Sequence, residues 1–278
     1  LTDIISPQWL FDHLNDANLV IVDCRFVLGQ PNTGLKAYQE KHIPGAYYLD
    51  MEKDLSGSVE KHGGRHPIPR QDLLAKKLGN IGINEQTHVI AYDDQQGAMA
   101  SRLWWLLKYL GHDQVSILDG GWKQWIKHGF PITNTLPSNS PTIFTPKLQK
   151  NMLATMEEVL KKLDQTDMIL IDSREEKRYS GEEEPIDPVA GHIPSAINYF
   201  WQGVLKDTGI WKERDELEAH FQSLPKDKEI IVYCGSGITA TPNFLALKLA
   251  GYQKVKLYAG SWSDWITHPQ NPIEKEKR

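Results

Sequence analysis

Cys234 is the residue of this chain whose surroundings most resemble a reactive centre. It follows Ile230-Ile-Val-Tyr233, a short β-branched apolar run that reads as a buried strand. It precedes Gly235-Ser-Gly-Ile-Thr-Ala240, where two glycines let backbone amides turn inward. Thr241-Pro242 then suits the first turn of a helix, since proline's missing N–H costs nothing there. Gly251 can close that helix in a left-handed conformation. Inward amides and a helix N-terminus favour an anionic sulfur, which makes Cys234 the expected nucleophile. A buried structural thiol is the usual role of a free cysteine, but such a thiol has no need of Gly-x-Gly beside it.

A loop of this kind needs a sheet to hold it, and the chain encodes two. Residues 19–25, 87–92 and 115–118 read as strands, and 71–79 and 101–110 as helices. Ser6-Pro7 is a good helix start, and 50–70, rich in Gly, Ser, His and Pro, reads as an excursion loop. The same order then returns. Asp172-Ser-Arg174 falls 149 residues after Asp23-Cys-Arg25, and Gly191-His-Ile-Pro-Ser-Ala196 repeats His42-Ile-Pro-Gly-Ala46. Residues 230–233 match 89–92, and 254–262 match 114–122. Four blocks in one order mark an internal duplication. Strands alternating with helices predict an α/β fold, each half a mostly parallel sheet flanked by helices. Residues 133–146 have linker composition, so the expected division is 1–135, a linker at 136–150, and 151–278. Where the second half has Tyr233-Cys234-Gly235, the first has Tyr92-Asp93-Asp94, so one half alone keeps a nucleophile. Ligands of such sheets bind at the carboxyl ends of strands, and a cleft between the halves is the expected place for chemistry.

The repeated Asp-x-Arg, the two His-Ile-Pro segments, the Cys-Gly-Ser-Gly-Ile-Thr loop and the Gly-Gly-Trp and Gly-Ser-Trp blocks together resemble the two-domain rhodanese family of sulfurtransferases, over nearly the whole length. The resemblance implies tandem rhodanese-like domains, the first non-catalytic and the second catalytic. It also implies a ping-pong reaction through a Cys234 persulfide, without a cofactor. A small donor gives its sulfane sulfur to Cys234, and a thiol, cyanide or a thioredoxin-like acceptor removes it. Thiosulfate-preferring members place Arg and Lys after the cysteine. Gly235 and Ser236 resemble the 3-mercaptopyruvate group instead. In that group a serine, a histidine and an acid act together, and the matching positions are Ser236, His66 and Glu52. Arg178 matches the arginine that grips donor anions, a task suited to a planar guanidinium fork. Gly235, Gly237, Ile238 and Thr239 are expected to contact the donor through the loop. A second donor arginine of the mercaptopyruvate group would fall near Ile186 and is absent, which leaves thiosulfate open as a donor.

Other suggestive residues have plainer explanations. Arg25 and Arg174, and likewise His42 and His192, occur in both halves and read as architectural. Cys24 has Ser173 as its repeat partner and reads as a small filler. Trp104, Trp105, Trp122, Trp262 and Trp265 are expected in packing. A cysteine phosphatase would carry arginine six positions after the cysteine, and Ala240 stands there. No Cys-x-x-Cys or paired-His spacing suggests a metal. With 278 residues, 40% hydrophobic, 24% charged and a net charge of −5, the composition suits a globular protein that binds no nucleic acid. No apolar run approaches membrane-spanning length, and Leu1-Thr-Asp-Ile lacks a signal-peptide layout. Two cysteines suit a reducing, cytoplasmic compartment. The rival to an enzyme is a persulfide relay or sensing module that uses the same Cys234 to serve a protein partner.

Overall fold

Strand β1 (Ile4–Ile5) leads into α1 (Pro7–Asp12), which begins as its sequence predicts. The Ser6 hydroxyl accepts the Trp9 N–H at 3.1 Å, and Pro7 occupies the first turn. This computed structural model describes residues 2–163 and 165–276. It divides the chain into two compact units. One holds the chain up to Gly57 together with Ile68–Gln149. The other holds Ser58–Pro67 and the chain from Lys150 onward. Ser58–Pro67 comes from the excursion loop of the first repeat, yet it belongs to the second unit.

In the first unit follow β2 (Leu19–Asp23), α2 (Thr33–Glu40), β3 (Ala46–Tyr48), α3 (Gln71–Asn80), β4 (His88–Tyr92), α4 (Ala98–Tyr109), β5 (Val115–Leu118) and α5 (Gly121–Lys127). The strands lie in the order β1-β5-β4-β2-β3, and every neighbouring pair is parallel. Helix α2 falls in a stretch that reads only as polar. It buries little beyond Gly34 and Tyr38, which leaves it a faint hydrophobic signature. Helix α4 is buried along nearly its whole length, and an apolar helix of that kind shows no amphipathic stripe.

The second unit repeats the arrangement with β6 (Leu153–Ala154), α6 (Met156–Lys162), β7 (Met168–Asp172), α7 (Glu176–Ser180), β8 (Ile197–Asn198), α8 (Arg214–His220), β9 (Glu229–Tyr233), α9 (Thr241–Leu249), β10 (Val255–Tyr258) and α10 (Ser261–Trp265). Its strand order, β6-β10-β9-β7-β8, is the first unit's order element for element, again with every pair parallel. Parallel sheets covered on both faces read as continuous apolar runs, and Ile230-Ile-Val-Tyr233 is such a run on the central strand. One core of this unit packs Val159, Leu170, Ile193, Ile231, Tyr233, Trp262 and Trp265. Its counterpart in the first unit gathers Leu10, Ile21, Ile43, Ile90, Tyr92, Leu118 and Trp125.

The duplicated charged residues prove architectural. Arg25 holds Asp23 and the Lys41 carbonyl and lies 4.4 Å from the Trp122 ring centroid. Arg174 holds Asp172 and the Gly191 carbonyl, 4.9 Å from Trp262. Each pins the loop after its strand with a buried ion pair whose arginine also reaches a backbone carbonyl. His42 and His192 stack on Tyr38 and Tyr179, at 4.1 Å in both cases, and bond the carbonyls of those same residues.

Candidate active site

Strand β9 ends at Tyr233 and delivers Cys234 to the carboxyl edge of the central strand. The loop 235–240 then turns into α9, with Pro242 in the first helical turn. Thr241 closes the turn, its N–H and hydroxyl both donating to the Ile238 carbonyl, at 3.0 and 2.7 Å. The helix ends as expected, with Gly251 at φ 89°. Cys234 is a free thiol, 1% exposed. The Gly237 N–H points at its sulfur, with N to Sγ 3.2 Å. Gly237 has φ 78°, and a Cβ there would meet the Ala259 carbonyl oxygen at 2.1 Å, so only glycine aims this amide inward. Gly235, Ser236 and Ile238 are buried and Thr239 is half-buried.

Helix α10 fastens the loop from the other side. The Trp262 N–H donates to the Cys234 carbonyl at 3.0 Å, and the Ser263 N–H to the Gly235 carbonyl at 2.9 Å. Ser261 lies in the left-handed region, at φ 56°, where Gly121 stands in the first repeat at φ 54°. Its hydroxyl accepts the Cys234 N–H at 3.1 Å and donates to the Tyr258 carbonyl at 2.9 Å.

Ser58–Pro67 brings a further group. His66 is buried, with Nδ1 2.8 Å from the Ser236 hydroxyl. The segment is tied down by the Gly63 N–H on an Asp264 carboxylate oxygen at 2.7 Å and the Arg65 N–H on the Ser263 hydroxyl at 3.1 Å. Glu52 belongs to the first unit, is exposed, and donates its backbone N–H to Asp50 at 2.9 Å. Arg178, on α7, forms a bidentate pair with Glu184 (2.8 Å from Nη2) and a further bond to Asp187 at 3.1 Å. Glu184 also accepts Arg174 at 3.2 Å and the amides of Ile186 and Asp187, so both carboxylates are buried and fully engaged. Ile186 is exposed.

Cys234, Ser236, His66, Gly235, Gly237 and Arg178 thus share one unit. The sequence reading passed over two residues among them. Arg65 pairs with Asp187, and its guanidinium lies against Gly235. It directly precedes His66 in Gly63-Gly-Arg-His-Pro67, and that adjacency was its available signal. Asp187 carries no signal of its own. Burial lowers the Arg65 pKa, and the nearby Cys234 charge opposes that shift. His62, Asp264 and His268 bring three ligand atoms within 4.8 Å of one another, a group able to hold a divalent ion. It is assembled from two distant segments, so no spacing in the sequence announces it. In the structure the two imidazoles stack at 4.2 Å, and Asp264 is already engaged with Gly63 and with the Tyr258 hydroxyl.

Chemically, the loop can hold a sulfur anion on an inward amide. A hydroxyl-imidazole pair beside it can move a proton, and a guanidinium can receive an anionic donor. The model of the Rhodanese-like domain matches residues 6–128 and again 155–268. A probable 3-mercaptopyruvate sulfurtransferase of Pseudomonas aeruginosa is 42% identical over 275 residues, 97% of each chain. A thiosulfate sulfurtransferase of Rattus norvegicus is 34% identical, over 99% of this chain and 96% of the relative. The solved structure of SseA from Escherichia coli, described among 3-mercaptopyruvate sulfotransferases, superposes with a TM-score of 0.83 at 32% identity, covering 95% of this chain and all of that one. With two matched domains and full-length relatives of this similarity, the chain belongs to the rhodanese-like family.

Proposed function

We propose that the protein is a sulfurtransferase that takes sulfane sulfur from 3-mercaptopyruvate or thiosulfate onto Cys234 and passes it to a thiol or cyanide. The observation that carries the reading is the Cys234 loop itself, with the Gly237 amide 3.2 Å from the sulfur and, on the same loop, Ser236 bonded to His66. The Cys234 thiolate attacks the donor sulfur and the carbon–sulfur bond of 3-mercaptopyruvate breaks. The bonding electrons stay on the leaving enolate. The proton of the donor thiol reaches the enolate carbon through Ser236 and His66, giving pyruvate and a Cys234 persulfide. With thiosulfate the sulfur–sulfur bond breaks and sulfite leaves with its electrons, needing no proton. The acceptor then attacks the outer sulfur and frees the thiolate.

Arg178 receives the carboxylate or sulfonate of the donor, and the loop amides of Gly235, Gly237, Ile238 and Thr239 line the sulfur's approach. The second rhodanese-like domain is the catalytic one, and the first has Asp93 where the second has Cys234. A 3-mercaptopyruvate preference is supported by Gly235 and Ser236, and by the relative of that name at 42% identity. A thioredoxin-like protein is the proposed acceptor in a reducing cytoplasm, a setting that two free cysteines support. Among the described residues no helix is long and apolar enough to cross a membrane. The test is steady-state transfer to cyanide from each donor, beside Cys234→Ser. Turnover in the wild type and its loss in the variant are expected. Failure with both donors, or an active Ser variant, contradicts the proposal.

A further inference from the structure

His62, Asp264 and His268 lie together in the second unit, and the sulfur-transfer chemistry uses none of them. Asp264 is buried on α10, and His268 follows that helix, half-buried. His62 is exposed on Ser58–Pro67, the segment that also carries His66. The Asp264 carboxylate is held at a fixed angle. Its Oδ1 accepts the Gly63 N–H at 2.7 Å and its Oδ2 the Tyr258 hydroxyl at 2.7 Å, which leaves lone pairs on both oxygens. The Thr267 hydroxyl donates to the Asp264 carbonyl at 2.6 Å, and its oxygen lies 2.8 Å from His62 Nδ1. That contact holds the His62 imidazole against the turn after α10. His268 Nε2 lies 3.4 Å from Asp264 Oδ1. Zinc bonds of about 2.0–2.1 Å to nitrogen and oxygen place tetrahedral ligands about 3.3 Å apart, so this pair already spans one edge of such a site. One ligand atom from each of the three residues lies within 4.8 Å of the others. The exposed His62 ring closes the remaining distance by turning out of its 4.2 Å stack on His268.

We infer that His62, Asp264 and His268 form a binding site for a divalent transition ion of the zinc class, with water completing the coordination. Two imidazoles and one carboxylate suit zinc, whereas magnesium and calcium take oxygen ligands. The bonds from Gly63 and Tyr258 are the outer contacts that orient the ligating carboxylate. The ion joins the segment that carries His66 to the turn after α10, and its binding stiffens the backbone that sets His66 on Ser236. The site stands apart from sulfur transfer and holds whether or not Cys234 turns over.

The test uses the untagged full chain carrying Cys234→Ser, so that the reactive thiol takes no metal. It is compared with the same chain carrying in addition His62→Ala, His268→Ala or both. Titration calorimetry with zinc chloride reads the affinity, and hydrogen exchange over residues 58–67 reads the stiffening. One equivalent of zinc is expected to bind the parent, and either histidine change should weaken binding about tenfold or more. Zinc should slow exchange over 58–67 in the parent and leave it unchanged in the double variant. Magnesium at the same concentration should alter neither readout. His62 is exposed, so His62→Ala keeps the fold and the comparison stays decisive even where His268→Ala unfolds the chain. Absence of a one-equivalent zinc event overturns the inference, as does an affinity that His62→Ala leaves unchanged. Exchange over 58–67 that zinc does not slow in the parent would likewise refute the proposed link to the segment.

Discussion

The two cysteines occupy corresponding kinds of place, just beyond a central parallel strand, and differ in what surrounds them. Burial, together with the charges of Asp23 and Asp93, pushes the Cys24 thiol well up, so it stays protonated at neutral pH. Cys234 instead has an amide on its sulfur and Arg65 beside its loop. Brief treatment of the native protein with iodoacetamide near pH 8 should therefore modify Cys234 and spare Cys24. Peptide mapping with Cys24 labelled first would contradict this assignment. Ser236 and His66 divide the donors by chemistry. An enolate needs a proton and sulfite does not, so Ser236→Ala and His66→Ala should lower kcat on 3-mercaptopyruvate on the order of a hundredfold. The same variants should leave thiosulfate turnover within a few-fold. Equal losses on both donors would mean that the pair merely supports the loop.

At the scale of elements, the short α10 organises the site. Its backbone N–H groups hold the carbonyls of Cys234 and Gly235, and its Ser263 and Asp264 side chains hold the segment that carries Arg65 and His66. Ser261 tolerates a left-handed backbone because its hydroxyl satisfies the buried Cys234 N–H. Ser261→Ala keeps the strain and orphans that amide, at about 1–3 kcal/mol of stability. Ser261→Gly loses the same bond and relieves roughly 1 kcal/mol of strain. Urea midpoints should rank wild type above the Gly variant and the Gly variant above Ala; Ala equal to wild type would refute the capping role. The strand-loop-helix around Cys234 was legible because Ile230-Ile-Val-Tyr, two glycines and Pro242 all act locally. The bonds of His66 to Ser236 and of Arg65 to Asp187 were not, since their partners lie 170 and 122 residues apart and only the fold brings them together.

Across the whole molecule the duplication shows what the cysteine loop is built to hold. At the position of Cys234 the first unit has Asp93, whose carboxylate accepts the N–H groups of Gln95, Gly97, Met99 and Ala100 at 2.7–2.9 Å. A fixed anion fills that ring of amides, just as a transient sulfur anion is proposed to fill the other. The repeat spacing, the parallel α/β class and the architectural Asp-x-Arg pairs could all be read from residue order, because each depends on a pattern written twice. The assignment of Ser58–Pro67 to the second unit could not, because the segment is irregular and contributes to no strand or helix.

Stability of the whole chain has a pH signature of its own. His88 is buried against the Ser116 hydroxyl at 2.8 Å, and burial, with nearby positive charge second, pushes its pKa down from 6.5 to about 4. A depressed folded value means that neutral His88 contributes fully above about 6.5 and loses that contribution as pH falls toward 4. His88→Gln should remove about 1–3 kcal/mol of the acid sensitivity in that window. Urea titrations at pH 7.5 and 4.5 check it, and identical pH dependence in both proteins would refute it.

The central claim is a persulfide on Cys234, and the most direct measurement is the mass of the Cys234 peptide after exposure of the protein to 3-mercaptopyruvate or thiosulfate without acceptor. The account predicts one added sulfur atom on Cys234, removed by cyanide with formation of thiocyanate. Sulfur found on Cys24, or on neither cysteine while turnover continues, would contradict it.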